Sequence, residues 1–200
     1  MKNILFAVTV LLVTHFSAFA AEPAKAPDAK MQEMMKKHEA YSTPGEQHKR
    51  LAELEGNWTY TSKMWMSPKD KPQEAKGTST FKMILGGRWL QQDTKGEVMG
   101  MPFEGIALTG YNNLKGEYET IWLDSMSTGA MYGTGSYDAK KKTLSDKGSY
   151  TCPFSEDKSR DYRADLKIKD KNNMTYSSYG PGINGEPEYK HMEIVYKRAK

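Results

Sequence analysis

From Tyr162 to Lys169 apolar and polar side chains alternate without a break: Tyr162-Arg163-Ala164-Asp165-Leu166-Lys167-Ile168-Lys169. A two-residue period belongs to a strand with one face in a core and the other in water. Asp170-Lys171-Asn172-Asn173 then reads as a turn, and Met174-Thr175-Tyr176-Ser177 resumes the extended pattern. The same reading predicts about ten strands, near 57–66, 74–84, 88–98, 103–111, 117–124, 129–138, 143–151, 160–169, 173–179 and 188–198. Connectors such as Gly86-Gly87, Gly100, Asn112-Asn113 and Lys140-Lys141-Lys142 are short, which favours antiparallel hairpins between neighbours. Ten such strands in an open sheet would leave long exposed edges, and closure removes them. The expected fold is therefore mainly β: an antiparallel up-and-down β-barrel of about ten strands behind a short N-terminal helical segment. A sandwich is the alternative, but its long Greek-key crossings have no counterpart among these connectors.

Ahead of residue 57 the texture is helical. Residues 31–41 carry Met31, Met34 and Met35 on one side. A second helix is expected to start with Thr43 as N-cap and Pro44 at its first position, and to send Leu51 and Leu54 toward a core before Gly56. Residues 1–20 have the layout of a secretory signal: Lys2, an apolar run from Ile4 to Val13, then Ala18-Phe19-Ala20. Cleavage after Ala20 would leave a flexible leader with a short helix (21–42) and a barrel domain (43–200), in a periplasm or outside the cell. The apolar run is too short for a stable span, and no membrane span is expected in the mature protein.

Composition narrows the chemistry. The single cysteine, Cys152, excludes an internal disulfide framework and a Cys-rich metal site, and reads as a buried thiol or a dimer contact. A net charge of +4 is too small to suggest nucleic acid. Histidines other than that of the signal number three, His38, His48 and His191, with none in a His-x-His or His-Glu-x-x-His arrangement. His38 and His48 are expected at the surface of the helical leader. No Gly-x-Ser-x-Gly elbow is present, and Asp124 beside Ser125 reads as a strand-end cap because adjacent strand residues point to opposite faces. Gly129, Gly133 and Gly135 precede no helix that could hold a phosphate and read as bends or bulges. The pairs Met64/Met66 and Met99/Met101 have the spacing to share a strand face and the softness to suit Cu(I), but apolar filling is the preferred reading.

Several motifs together carry a family resemblance. Gly56-Asn57-Trp58 after a short helix resembles the Gly-x-Trp signature of lipocalins and wider calycins, with Arg198 placed to pack over Trp58. His48-x-x-Leu51, Leu85-Gly86-Gly87-Arg88, Pro102-Phe103-Glu104-Gly105, Gly110-Tyr111-Asn112, Trp122-Leu123-Asp124-Ser125 and Gly135-Ser136-Tyr137-Asp138 continue the series. From His48 to about Arg198 the chain resembles the bacterial secreted family called domain of unknown function 1579, grouped with the calycins. The resemblance implies a lipocalin-like barrel with Gly56, Trp58, Arg198, Gly86, Gly87 and Asp124 as structural signature, and it implies no activity. It also raises haem on His191, as in nitrobindin-like calycins. A hydrogen-bonded wall histidine is preferred, so no cofactor is expected.

Aromatic side chains are the remaining signal. An amphipathic ring suits a cavity wall that holds an apolar molecule and fixes one end of it. Candidate ligand contacts are Trp65, Trp89, Tyr111, Trp122, Tyr132, Tyr176, His191 and Tyr196. The stretch 88–98 is polar on both faces, with Arg88, Gln91, Gln92, Asp93 and Thr94, so part of the interior is expected to be wet. The leading expectation is a non-enzymatic carrier or sensor of a small hydrophobic or amphipathic molecule, present as monomer or homodimer. The alternatives are a filled-barrel interaction protein and a cavity enzyme.

Overall fold

The computed structural model describes residues 28–155, 158–183 and 186–200; the signal and most of the leader lie outside them. Two helices, α1 (Ala29–Ser42) and α2 (Glu46–Ala52), precede ten strands. These are β1 (Gly56–Met64), β2 (Gln73–Ile84), β3 (Trp89–Val98), β4 (Met101–Asn112) and β5 (Glu117–Asp124). They continue as β6 (Met131–Asp138), β7 (Thr143–Thr151), β8 (Ser159–Asp170), β9 (Asn173–Gly180) and β10 (Tyr189–Arg198). Every strand pairs antiparallel with its sequence neighbours, and β10 returns to β1, so the sheet is a closed barrel in meander order. The closing seam runs in continuous register from Trp58 opposite Arg198 to Met64 opposite Met192.

Capping of α2 departs from the expectation. Thr43 ends α1 instead of starting α2: its N–H and its hydroxyl both donate to the Glu39 carbonyl, at 3.0 and 2.6 Å. Gly45 is the N-cap of α2, and its N–H donates to Nδ1 of His48 at 3.0 Å. That reach-back turns His48 inward. It is 5% exposed and meets the Tyr111 ring edge-on, so the expected surface position is wrong for this histidine. Burial lowers its pKa.

α1 buries none of its residues, and Met31, Met34 and Met35 stay exposed. Its described anchor on the barrel is Asn113, whose side-chain amide donates to the carbonyls of Ala40, Tyr41 and Thr43. A chain lacking residues 21–41 is expected to keep its barrel, with thermal unfolding within about 1 kcal/mol of the full chain, because helical propensity without packing contributes little. Loss of the cooperative transition in a differential scanning experiment would contradict this.

Strand pairing assigns the faces, since directly opposed residues share a side. Along β1, Trp58, Tyr60, Ser62 and Met64 point inward, and across the seam so do Arg198, Tyr196, Ile194 and Met192. Gln92 and Thr94 of β3 are inward, whereas Gln91 and Asp93 are outward and bond to each other at 2.9 Å. Polarity on both faces of this strand is thus real, with one half of it inside the barrel.

Inward glycines shape the interior. A methyl on Gly77 or Gly96 would collide with the Tyr60 ring, and one on Gly105 would meet Trp122 at 2.5 Å. On Gly133 it would lie 2.3 Å from the Tyr162 hydroxyl. These glycines let large rings lie flat against the wall. Gly133 and Gly135 stand at regular ladder positions of β6, not at the expected bulges, and close side-chain approach is the reason for them.

Candidate functional site: the barrel lumen

One end of the barrel is plugged. Leu51 of α2 and Leu54 just after it enter it and pack with Trp58, Phe81, Tyr118 and Met174, all nearly or wholly buried. Trp58 is 2% exposed and donates its indole N–H to the Leu54 carbonyl at 3.0 Å. The Arg198 guanidinium lies 4.3 Å over the Trp58 ring, a cation–π arrangement. It also donates to the carbonyls of Glu53 (3.0 Å), Glu55 and Lys171 (2.7 Å). One side chain therefore satisfies the last carbonyls of the helix–strand connection while shielding the tryptophan. Gly56, at φ 125°, passes close beneath that guanidinium, where a side chain would collide with it. Between α2 and the wall remains a cavity of about 10 Å³. That is room for no more than a water molecule, so this end offers a ligand no space.

The middle of the barrel is different. Tyr176, Ile194, Thr109 and Thr120 all face inward, yet they are only half-buried. Close packing would have buried them, so the centre of the barrel is loosely filled. Two polar groups line it. In the first, the Ser79 and Thr94 hydroxyls are 2.9 Å apart, and the Gln92 amide donates to Thr94 at 2.9 Å, Tyr196 at 3.2 Å and Ser79 at 3.3 Å. Burial pushes the Tyr196 hydroxyl up to about 12.

The second group centres on Asp146 of β7. The Tyr162 hydroxyl donates to its Oδ2 at 3.2 Å. Burial is the main cause that raises the Asp146 pKa to about 6, and Asp165 on the outer face of β8 adds repulsion. Tyr162 and Tyr176 shift upward as well, through burial first and the Asp146 charge second.

Beyond these lies the mouth. Trp122 stacks on Phe103 at 6.3 Å between ring centres, and its indole N–H donates to Asp124 at 2.8 Å. Asp124 also accepts the Met126 N–H at 2.9 Å, which caps the end of β5. Arg160 donates to the Pro181 carbonyl at the rim.

The residues singled out from sequence separate into four places. Trp122, Tyr176 and Tyr196 reach the lumen. Tyr111 packs edge-on against Tyr118 at the plugged end. Trp65 follows β1 at the mouth, its N–H on the His191 carbonyl at 2.9 Å. Trp89 and Tyr132 stand on the outer face, contrary to the expectation, because their inward neighbours Leu90 and Gly133 take the core positions; Tyr132 is 62% exposed. Gly86 and Gly87 form the left-handed turn from β2 to β3, remote from the lumen.

His191 stacks edge-on with Tyr189 at 4.4 Å beside a β10 irregularity, and burial lowers its pKa. Its Nε2 is enclosed and lacks a hydrogen-bond partner among the described residues. Met66 and Met99 fall outside the strands, so neither Met-x-Met pair shares a strand face. Among the described residues no three His, Cys, Asp or Glu side chains converge as a metal site. Cys152 is a buried free thiol. No helix among the described residues is long and apolar enough to cross a membrane.

Asp146 and Tyr162 were not singled out from sequence. Both carried a signal: Asp146 is in phase with Leu144 and Tyr150, and Tyr162 with Ala164, Leu166 and Ile168. An acid on the apolar phase of a strand faces the core. An open depression of about 670 Å³ lies on the wall of β5–β8, where Trp89, Ile121 and Tyr132 border Glu119 and Lys147. Its lining also includes Thr120, Gly133, Gly148 and Tyr162, whose register positions face the barrel interior.

The model of a family described as protein of unknown function (DUF1579) matches residues 43–198. Solved structures of similar fold include Rv2717c from M. tuberculosis, at 16% identity and a TM-score of 0.60. The similarity covers 79% of this chain and all of that one. Another is the S-type phycobiliprotein lyase CPES from Guillardia theta, at 9% identity and 0.56, covering 82% of this chain and 97% of that one. At these identities the likeness is one of fold. No curated protein matches the sequence.

Proposed function

Since the chain belongs to the DUF1579 family, whose description carries no activity, we propose from its own geometry that it is a binding barrel. It holds a small, partly apolar molecule in the lumen, exported to a periplasm or beyond by the signal read at residues 1–20. The observation that carries this is the half-buried inner wall at mid-height. One end is sealed by α2 and the Trp58–Arg198 pair, while the centre combines accessible aliphatic and aromatic surface with hydroxyl, amide and carboxyl groups. Apolar walls with a few fixed polar groups are the ordinary makeup of a small-molecule site. A barrel used only as an outer scaffold would gain stability from packing those inner positions with larger apolar side chains.

Native mass spectrometry tests this on mature chain purified gently from its own compartment. A persistent extra mass that disappears on denaturation is expected. Thr120→Phe, which fills the lumen from β5, is expected to fold and to carry no extra mass. If the wild-type chain arrives bare and also fails to bind 1-aminoanthracene, an apolar fluorescent probe, the binding reading falls.

A further inference from the structure

We propose that the lumen selects an amine: a small apolar molecule whose ammonium group pairs with the Asp146 carboxylate among the rings of Tyr162 and Tyr176. This rests on the lumen reading above and names its ligand class.

The geometry around Asp146 leaves a place for a cation and supplies none. Its cross-strand partners are Gly135 on β6 and Ala164 on β8, and its Oδ2 passes close to Gly133. Glycine at these positions lets the carboxylate and the Tyr162 hydroxyl lie against the wall, and Asp146, although inward, is only half-buried, so its side chain keeps accessible surface on the inner wall. Facing it are Tyr162 from β8 and Tyr176 from β9, the latter beside Ser178; β6 contributes only glycines. Asp165 on the outer face of β8 repels it, and Lys147, next in its own strand, points outward.

No described lysine, arginine or histidine forms an ion pair with Asp146. The inward arginines are engaged elsewhere. Arg50 donates to the Tyr118 hydroxyl at 3.2 Å and lies over Tyr137 at the plugged end. Arg198 covers Trp58, and Arg160 binds the Pro181 carbonyl at the mouth. Asp124, another inward carboxylate, already accepts the Trp122 and Met126 N–H groups.

A carboxylate offers about four acceptor sites, and here the other residues fill one of them with a phenol. A buried charge without a partner is unfavourable, and a ligand cation removes that penalty on binding. Aromatic faces around the same point add cation–π attraction. An anion meets repulsion, and a neutral hydroxyl satisfies the carboxylate without neutralising it.

The test compares three probes with one apolar body, 4-phenylbutylamine, 4-phenylbutanol and 4-phenylbutyrate, by titration calorimetry on the mature chain. At pH 7.5 the amine is expected to bind about tenfold or more tightly than the alcohol, as charge-assisted hydrogen bonds exceed neutral ones. The carboxylate is expected to bind weakest. Asp146→Asn should bring the amine to the alcohol's affinity and leave the alcohol unchanged. Should that variant fail to fold, the wild-type chain carries the test. Amine affinity should then drop about tenfold between pH 7.5 and pH 5, as Asp146 takes up a proton, with the alcohol unaffected. Equal affinities for amine and alcohol, or a preference for the carboxylate, overturn the amine assignment and leave the lumen reading standing. If no probe binds, both fall.

Discussion

Trp58→Ala is expected to destabilise the chain by about 3–5 kcal/mol, as large-to-small changes of fully buried rings do. The loss would be read as a lower urea midpoint at unchanged slope. Three effects combine at this position. The indole fills the plugged end at 2% exposure, with Phe81 edge-on at 6.2 Å. Its N–H holds the Leu54 carbonyl, so its removal frees the connection from α2 to β1. Arg198 then loses the ring beneath its guanidinium, although its three carbonyl acceptors remain. Arg198→Met separates the parts: it keeps an apolar cover for Trp58 but abandons those carbonyls, at an expected cost of about 2 kcal/mol. A Trp58→Ala loss below about 1 kcal/mol would show that the plug is not a determinant of stability.

Between pH 5 and pH 7.5 the wild-type chain is expected to lose stability, and Asp146→Asn to abolish that part of the loss. The folded-state pKa of Asp146 is raised to about 6 from the ordinary 3.8. In the window between these values the native state binds more protons than the unfolded chain, so stability falls as pH rises. Below the lower value both states are protonated and the penalty is absent. Above about 6 it is complete. A two-unit shift corresponds to about 3 kcal/mol, and because Asp146 is half-buried about 1–2 kcal/mol is the expected size. Asn keeps an oxygen for the Tyr162 hydroxyl, so the variant should be the more stable protein at pH 7.5. Urea titrations of both proteins across this range decide it. A wild-type chain whose carboxylates other than Asp146 raise stability with pH would still differ from the variant by a downward component. Parallel curves would refute the assignment.

Strand identity was legible wherever one face is wet. The alternation from Tyr162 to Lys169 lies within β8, and the short connectors implied the meander that closes as a barrel. The start of α2 was not legible. Ser-Thr-Pro is an ordinary helix opening, whereas the cap used is a glycine held by a histidine three residues later, which requires the histidine to be driven inward by packing on Tyr111. Aromatic residues were informative as a set and ambiguous one by one. Trp89 and Trp122 have the same composition signal, but register puts the first on the outside over Gly110 and the second inside over Gly105.

Sequence by itself determined the secondary structure, the closed topology, the burial of Leu51 and Leu54 and the resemblance that links Trp58 to Arg198. These follow from local periodicity, turn chemistry and the cost of open edges, all of which are written in neighbouring residues. Tertiary structure decided which side chains share the lumen. Asp146, Tyr162 and Tyr176 come from three strands, and the charge state of the first depends on neighbours that no local pattern reveals. Burial, the lack of a facing cation among the described residues and the close approach that glycines on the adjacent strand allow are properties of the closed barrel, and they arise only when the strands stand side by side.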